Sequence, residues 1–258
     1  MPWLPLLRSF TRAPWPLLLL MAASGFGLAA VRAGSGSLAS ICRTVGEFTI
    51  GKDWPGELEA ALALSTPMNM MADWALMLLA MMPPLLVMPL MHVWRASLPR
   101  RRVRAAIVFL LGYGAVWMAA GPALLAFGLL LQIAAARWAL VAALVLATLW
   151  SASPWQRAAL NRGHRLRRIG LFGWAADRDV VLFGANHGLW CIASCWAWML
   201  LPLVGDSWHL AIMLIAGAIM LAERLSDPER PRWHWPVFLP RIDRRILAAA
   251  QRGTLRHG

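Results

Sequence analysis

Long apolar stretches alternate with short polar segments along most of the chain. A helix needs about 20 apolar residues to cross the roughly 30 Å hydrocarbon core of a bilayer. Six stretches meet this requirement: residues 14–31, 73–94, 105–131, 138–153, 180–204 and 208–225. The pattern therefore predicts an all-α, polytopic membrane helix bundle of about six transmembrane helices, in which residues 73–225 form a five-helix membrane domain.

Two of the stretches have features of their own. The first follows Arg8 and Arg12 and resembles a signal peptide. Because five further spans follow it, we expect an uncleaved signal anchor. The third, of about 27 residues, would be roughly 40 Å long as a helix. It should therefore be tilted, or kinked at Gly121–Pro122.

Arginines predict the orientation of the bundle. They cluster after the second, fourth and sixth stretches, at residues 95–104, 157–178 and 230–256, whereas the alternate loops contain few. Positively charged loops remain in the cytoplasm. We therefore expect a cytoplasmic N-terminus (residues 1–13), a periplasmic loop (32–72) and a basic cytoplasmic tail (226–258). Splitting the third stretch at Pro122 would put the second cluster outside, which favours six spans.

Two segments outside the spans have helical patterns. Residues 57–64 could form a short surface helix in the periplasmic loop. In the tail, Ile242, Ile246, Leu247 and Ala250 lie among arginines. That spacing is typical of an amphipathic helix on an anionic inner leaflet. A solvated tail explains it equally well.

Composition supports a membrane protein and argues against nucleic-acid binding. The chain is 60% hydrophobic and 14% charged, with a net charge of +13. A soluble domain of this size cannot bury so much apolar surface. The positive charge lies in short loops, so no soluble segment is long enough to form a basic binding face. We predict a multi-pass protein of a bacterial inner membrane.

The fifth span contains the strongest candidate for chemistry. His187, Cys191 and Cys195 are spaced i, i+4, i+8, which places them on one helical face. Polar groups inside a membrane usually face the bundle interior. Thiolates select Cu(I) or Zn, and imidazole suits either metal. His187 and Cys195 lie about 12 Å apart along a helix, whereas Cys191 and Cys195 lie only about 6 Å apart. The spacing favours a relay or a two-thiolate site.

The second span adds thioethers. Met70, Met77, Met81 and Met88 recur near one face, with Met82 beside them. The predicted topology makes spans two and five antiparallel, which brings Met81 to the depth of Cys195 and Met88 to that of His187. Thioether, thiolate and imidazole together favour Cu(I). A methionine in an apolar helix is more often packing than ligand, and a buried cysteine is usually inert.

Signatures of catalysis are missing from the sequence. It has no phosphate-binding loop, no paired catalytic carboxylates and no nucleophile–base constellation. We therefore expect no enzymatic activity. His164, in the second Arg-rich loop, could receive a metal on its way to the bundle, although a solvated loop histidine is the simpler interpretation.

Several short motifs follow one another through spans two to six. They are Trp74-Ala-Leu-Met77, Ala80-Met81-Met82-Pro83, Phe109-Leu-Leu-Gly-Tyr113, His187-Gly188-x-x-Cys191, Cys195-Trp196-Ala-x-Met199 and Met220-Leu-Ala-Glu223. With them, residues 73–224 resemble a bacterial family of predicted metal-binding integral membrane proteins without an established reaction. The resemblance implies a metal site that includes His187, Cys191, Cys195, Met81 and Met82.

This chain departs from the family pattern at two places. It has Ala193-Ser194-Cys195-Trp196 where many members resemble Gly-Cys-Cys-Trp. It also has Ala159 and Gly163 where many carry cysteine before span five. Fewer thiols are therefore present to hold a metal.

Three functional hypotheses follow. The leading one is a membrane protein that binds a soft metal, Cu(I), at His187, Cys191, Cys195 and the span-two methionines, for transfer, insertion or homeostasis. A protein that donates or accepts the metal would be its partner. The second is a non-catalytic scaffold or assembly partner whose sulfurs only pack. The third and weakest is a small-solute transporter with a cavity at the Pro83–Pro84 break.

Overall fold

The computed structural model describes residues 15–34, 67–170, 172–205, 208–226, 228 and 230–234. All regular elements within these ranges are helical. The surface helix expected at residues 57–64 and the amphipathic helix expected around Ile246 lie outside the described residues.

Eight α-helices account for most of the described chain. They are α1 (Trp15–Gly34), α2 (Pro67–Met81), α3 (Val87–Ala96), α4 (Arg102–Ala135), α5 (Ala139–Ala152), α6 (Pro154–Gly163), α7 (Gly173–Val204) and α8 (His209–Arg224). Short 3-10 turns at Pro83–Leu86, Pro99–Arg101 and Ala136–Trp138 join some of them. The long helices α4 and α7 form the centre of the bundle and pack against each other along much of their length.

Three helices in the described part are long and apolar enough to cross a membrane: Trp15–Arg32, Pro99–Ala135 and Gly173–Val204. Two bent pairs raise this number to five if each is one span. The predicted second span is the first pair, α2 and α3, bent by 55°. The second pair joins α5, which corresponds to the predicted fourth span, to α6, which lies in the loop predicted to follow it, with a bend of 67°. The predicted sixth span corresponds to α8, a helix of 16 residues. The number of spans and their orientation remain predictions.

Proline and a helix cap account for the two bends. Pro83 and Pro84 lack the backbone N–H that would continue α2, so a 3-10 turn replaces the α-helix there. After α5, the side chain of Ser153 accepts a hydrogen bond from Gln156 N, and Pro154 occupies the first turn of α6. By contrast, α4 runs through Pro122 as one helix.

Contacts gather the Arg-rich loops at one end of the bundle. Asp177 at the start of α7 pairs with Arg101 at 2.5 Å and with Arg104 at 2.6 Å. The His92 ring lies 2.8 Å from the Arg167 carbonyl oxygen. The loops after the second and fourth predicted spans therefore meet at the same end. Arg32 pairs with Asp73 elsewhere in the bundle, between α1 and α2.

Glycines allow α4 and α7 to approach closely. A Cβ at Gly112 would lie 2.6 Å from the carbonyl oxygen of Val181, and one at Gly184 would meet the Phe109 carbonyl. At Gly188 it would lie 3.2 Å from the Tyr113 carbonyl oxygen. Small residues at such contacts let membrane helices pack backbone to backbone. This packing brings Phe109 and Tyr113 against the polar face of α7.

Gly184→Ala tests this packing. The added methyl group would meet a backbone carbonyl that cannot rotate away, so we expect a loss of about 1–3 kcal/mol in the free energy of unfolding. Unfolding of the purified protein in detergent measures it. Gly114→Ala on α4 is the matched control, because nothing lies within 4 Å of its Cβ position. Equal stability of the two variants would contradict the close contact.

Candidate metal centre

The polar face of α7 points into the core of the bundle. Cys191 is 0% exposed, and Cys195 and His187 are each 3% exposed. Both cysteines are free thiols. Residues four apart on a helix lie on the same side, one turn above the other. The helical period therefore stacks His187, Cys191 and Cys195 along one buried line.

The two thiols are close enough to share one ion. Their Sγ atoms lie 3.9 Å apart. A metal–thiolate bond is about 2.3 Å long in zinc sites, so one ion between the sulfurs can reach both. Ser194 donates to the Cys191 carbonyl at 2.9 Å, and its Oγ lies 3.3 Å from Cys195 Sγ. These contacts add a polar group beside the pair.

Tyr113 connects the cysteines to the second predicted span. Its hydroxyl lies 3.2 Å from Cys191 Sγ and 3.2 Å from Met82 Sδ. A single hydroxyl proton serves one of these acceptors at a time. Met82 lies immediately before the Pro83 break and is buried. A thioether of span two and a thiol of span five thus lie on either side of one phenol.

His187 lies one turn before Cys191 among aromatic rings. The centroids of Phe109, Tyr113 and Phe183 are each 6.1 Å from the imidazole centroid. Its Nε2 atom is buried and has no hydrogen-bond partner among the described residues. A neutral imidazole with a free ring nitrogen is a common metal ligand.

Arg224, at the end of α8, is an unexpected member of the site. It is only 6% exposed, and within the described chain its three side-chain nitrogens have only the Cys191 thiol as a hydrogen-bonding neighbour. The guanidinium is in electrostatic contact with Cys191, Cys195 and Tyr113. A Cβ at Gly163 would collide with its Nη1 atom. A buried cation beside two thiols can serve as the counter-ion of an anionic metal–thiolate complex.

The sequence pattern had a weak signal for this arginine. Arg224 lies at the end of the predicted sixth span, directly after Glu223 and just before the tail whose arginines are predicted to face the cytoplasm. Only the packing of α8 shows that it turns inward.

The remaining predicted ligands lie in different surroundings. Met77 and Met81 are buried, and Met81 Cγ lies 4.0 Å from the Cβ position of Gly217 on α8. Met88, which the sequence predicts at the depth of His187, is 59% exposed. Met88 and His187 line the same cavity. Glu223 accepts a hydrogen bond from Gln156 at 2.9 Å. That carboxylate therefore belongs to a separate polar cluster.

Two other histidines are engaged by the backbone. His164 Nδ1 lies 2.8 Å from the Leu160 carbonyl oxygen, and its Nε2 lies 3.0 Å from that of Arg224. Both ring nitrogens of His164 therefore face backbone carbonyls rather than the thiols. His92 Nε2 faces the Arg167 carbonyl in the same way. His187 is better suited to bind metal than either.

The donor set suits a soft ion of low coordination number. The described residues contain no group of three or more His, Cys, Asp or Glu side chains able to hold one metal. A tetrahedral zinc site would need four such ligands. Two thiols with a thioether nearby match the preference of Cu(I) for soft ligands.

Comparison with known proteins agrees with a role in copper handling. Searches of curated proteins and of solved structures found no match. Residues 71–238 match the PpoB2 copper chaperone family, a range that begins within α2, extends beyond α8 and includes every residue of the site. The chain therefore belongs to the PpoB2 copper chaperone family.

Proposed function

We propose that this chain is a membrane-embedded copper chaperone that carries Cu(I) as cargo on Cys191 and Cys195. The observation behind the proposal is the buried pair of thiols, 3.9 Å apart, beside the guanidinium of Arg224. The chain binds and releases the metal without converting a substrate. It exchanges the metal with a donor or acceptor protein.

Charge supports this assignment. A Cu(I) ion between two thiolates has a net charge of −1, which is costly to bury in a low-dielectric interior. Arg224 supplies a permanent +1 charge at that place, so the loaded site is neutral overall. Without a metal the same guanidinium is a buried cation whose only hydrogen-bonding neighbour among the described residues is the Cys191 thiol.

Tyr113 and Met82 complete the site around the thiols. The Tyr113 hydroxyl can donate to the thiolate of Cys191, which stabilises its charge. Met82 offers a soft, neutral sulfur on the other side of the phenol. A weak third ligand of this kind can hold the ion during exchange while two thiolates provide most of the affinity.

The surface of the bundle supports a location in a bacterial inner membrane. Large apolar side chains face outward on several helices, among them Leu20 on α1, Leu111 on α4 and Leu214 on α8, which are 68%, 66% and 63% exposed. Contact of such apolar surface with lipid tails has no free-energy cost, whereas its contact with water is unfavourable. With the Arg-rich end in the cytoplasm, the thiols lie within the bilayer.

Copper titration of the purified full-length protein tests the proposed function. We expect one Cu(I) per chain, held against a chromogenic Cu(I) chelator under reducing, anaerobic conditions. Zn(II) should bind far more weakly, because two thiols and a thioether do not fill its four positions. Failure to retain Cu(I) in the presence of the chelator would reject the proposal.

A further inference from the structure

A cavity of about 530 Å³ opens beside the thiol site. His187 and Arg224, both almost fully buried, form part of its wall, and the exposed residues Met88 and Arg95 belong to its outer part. Cys191 lies one helical turn beyond His187. The cavity therefore leads from the surface to the residues that adjoin the thiols. Its volume is in the range of small-molecule sites, roughly 300–1,000 Å³.

Two arginines make the lining of the cavity positively charged. It contains Arg95 and Arg224 together with His92, His164 and His187, and the described lining includes no Asp or Glu. Such a lining repels a bare Cu(I) ion and attracts an anion.

Unsatisfied polar atoms at the inner wall indicate an anionic occupant more directly. Three buried nitrogens of Arg224 have only the Cys191 thiol as a hydrogen-bonding neighbour among the described residues. The His187 imidazole has only the Gly163 backbone, and its buried Nε2 forms no well-aligned hydrogen bond there. Leaving such groups unpaired is expensive. A carboxylate or thiolate in the cavity would satisfy the guanidinium with charge-assisted hydrogen bonds.

We propose that this cavity binds a small anionic thiol that delivers Cu(I) to Cys191 and Cys195; the delivery step rests on the proposed function. The positive lining holds the carboxylates of the carrier and places its sulfur-bound Cu(I) next to His187. Cu(I) arrives held by two carrier thiolates, one of which belongs to the carrier bound in the cavity. In each of two exchanges, one protein Cys–Cu bond forms and one carrier S–Cu bond breaks. The proton released by the cysteine thiol passes to the departing carrier thiolate, and no electron is transferred.

Calorimetry on the metal-free, full-length protein tests the cavity independently of copper. The probe is reduced glutathione, an anionic tripeptide thiol. We expect wild-type protein to bind it, Arg224→Gln to weaken binding at least about tenfold, and Arg95→Gln to weaken it about threefold to fivefold, as for one exposed ion pair. Arg100→Gln is the matched control, since Arg100 is exposed at the same end and does not line the cavity. Absent binding, or equal binding by Arg224→Gln, would overturn the site.

Competition then tests delivery. S-methylglutathione keeps the carboxylates but cannot carry Cu(I) as a thiolate. In excess, it should slow Cu(I) transfer from the glutathione complex at least fivefold and leave transfer from the cationic Cu(I)–acetonitrile complex unchanged. Equal slowing of both donors, or of neither, would reject delivery through the cavity. If neither donor loads the protein, the proposed copper function fails, while the calorimetry still decides whether the cavity binds the anion.

Discussion

Replacing Cys191 and Cys195 together with serine should weaken Cu(I) binding by well over 100-fold and leave the purified protein without copper. Serine is nearly the same size but offers a hard, neutral hydroxyl in place of a soft thiolate. Loss of groups that only support a metal ligand already costs about 10–100-fold in affinity, so loss of both ligands must cost more. Each single substitution should also be severe, because one thiolate cannot form the two-coordinate site.

Cys42→Ser is the matched control for this experiment. It makes the same chemical change at the remaining cysteine, which lies in the predicted periplasmic loop. Copper content should then equal that of the wild type. Thermal unfolding in detergent checks that the double variant remains folded. A folded double variant that still retains one Cu(I) per chain would refute the two-thiolate site.

Arg224→Met should produce the second-largest effect: it should lower the affinity for Cu(I) and raise the stability of the metal-free protein. Cu(I) affinity should fall about 10–100-fold, because the anionic bis-thiolate complex loses its neighbouring cation. The metal-free protein should become more stable, because removing a buried, uncompensated charge in favour of a similar apolar volume relieves its desolvation cost. Chelator competition and unfolding of the metal-free protein measure the two quantities.

Arg224→Lys separates charge from shape in the same experiment. Lysine keeps the positive charge, so it should retain most of the affinity that methionine loses. Arg230→Gln serves as the control for removing a positive charge just after α8, where the side chain is exposed. If Arg224→Met lowers stability and affinity together, and lysine restores neither, the arginine is structural rather than a counter-ion.

The candidate thiol pair could be predicted from the sequence because it depends on one helix. Cys191 and Cys195 are four residues apart, and the helical period alone brings them to one face. Their burial also follows from the cost of polar groups in lipid. The partner methionine was harder to identify. Counting residues along antiparallel spans predicted that Met81 lies at the depth of Cys195. In the structure, Met82 and Cys191 both contact the Tyr113 hydroxyl.

The reason lies in the bend at Pro83. A straight helix has a regular rise, so depth can be counted from its middle. The 3-10 turn at Pro83–Leu86 and the 55° bend between α2 and α3 change both direction and rise just after Met82. The methionine nearest the break therefore has an orientation that periodicity does not specify.

By itself, the sequence determined the helical class and the stacking of His187, Cys191 and Cys195, and it predicted a preference for a soft metal. These follow from apolar length, helical period and ligand chemistry, which are properties of single segments. Tertiary structure alone decided that Tyr113 reaches Cys191, that Arg224 turns inward and that a positively charged cavity adjoins the thiols. Each depends on contacts between distant helices, permitted by the missing side chains of glycines such as Gly184 and Gly163.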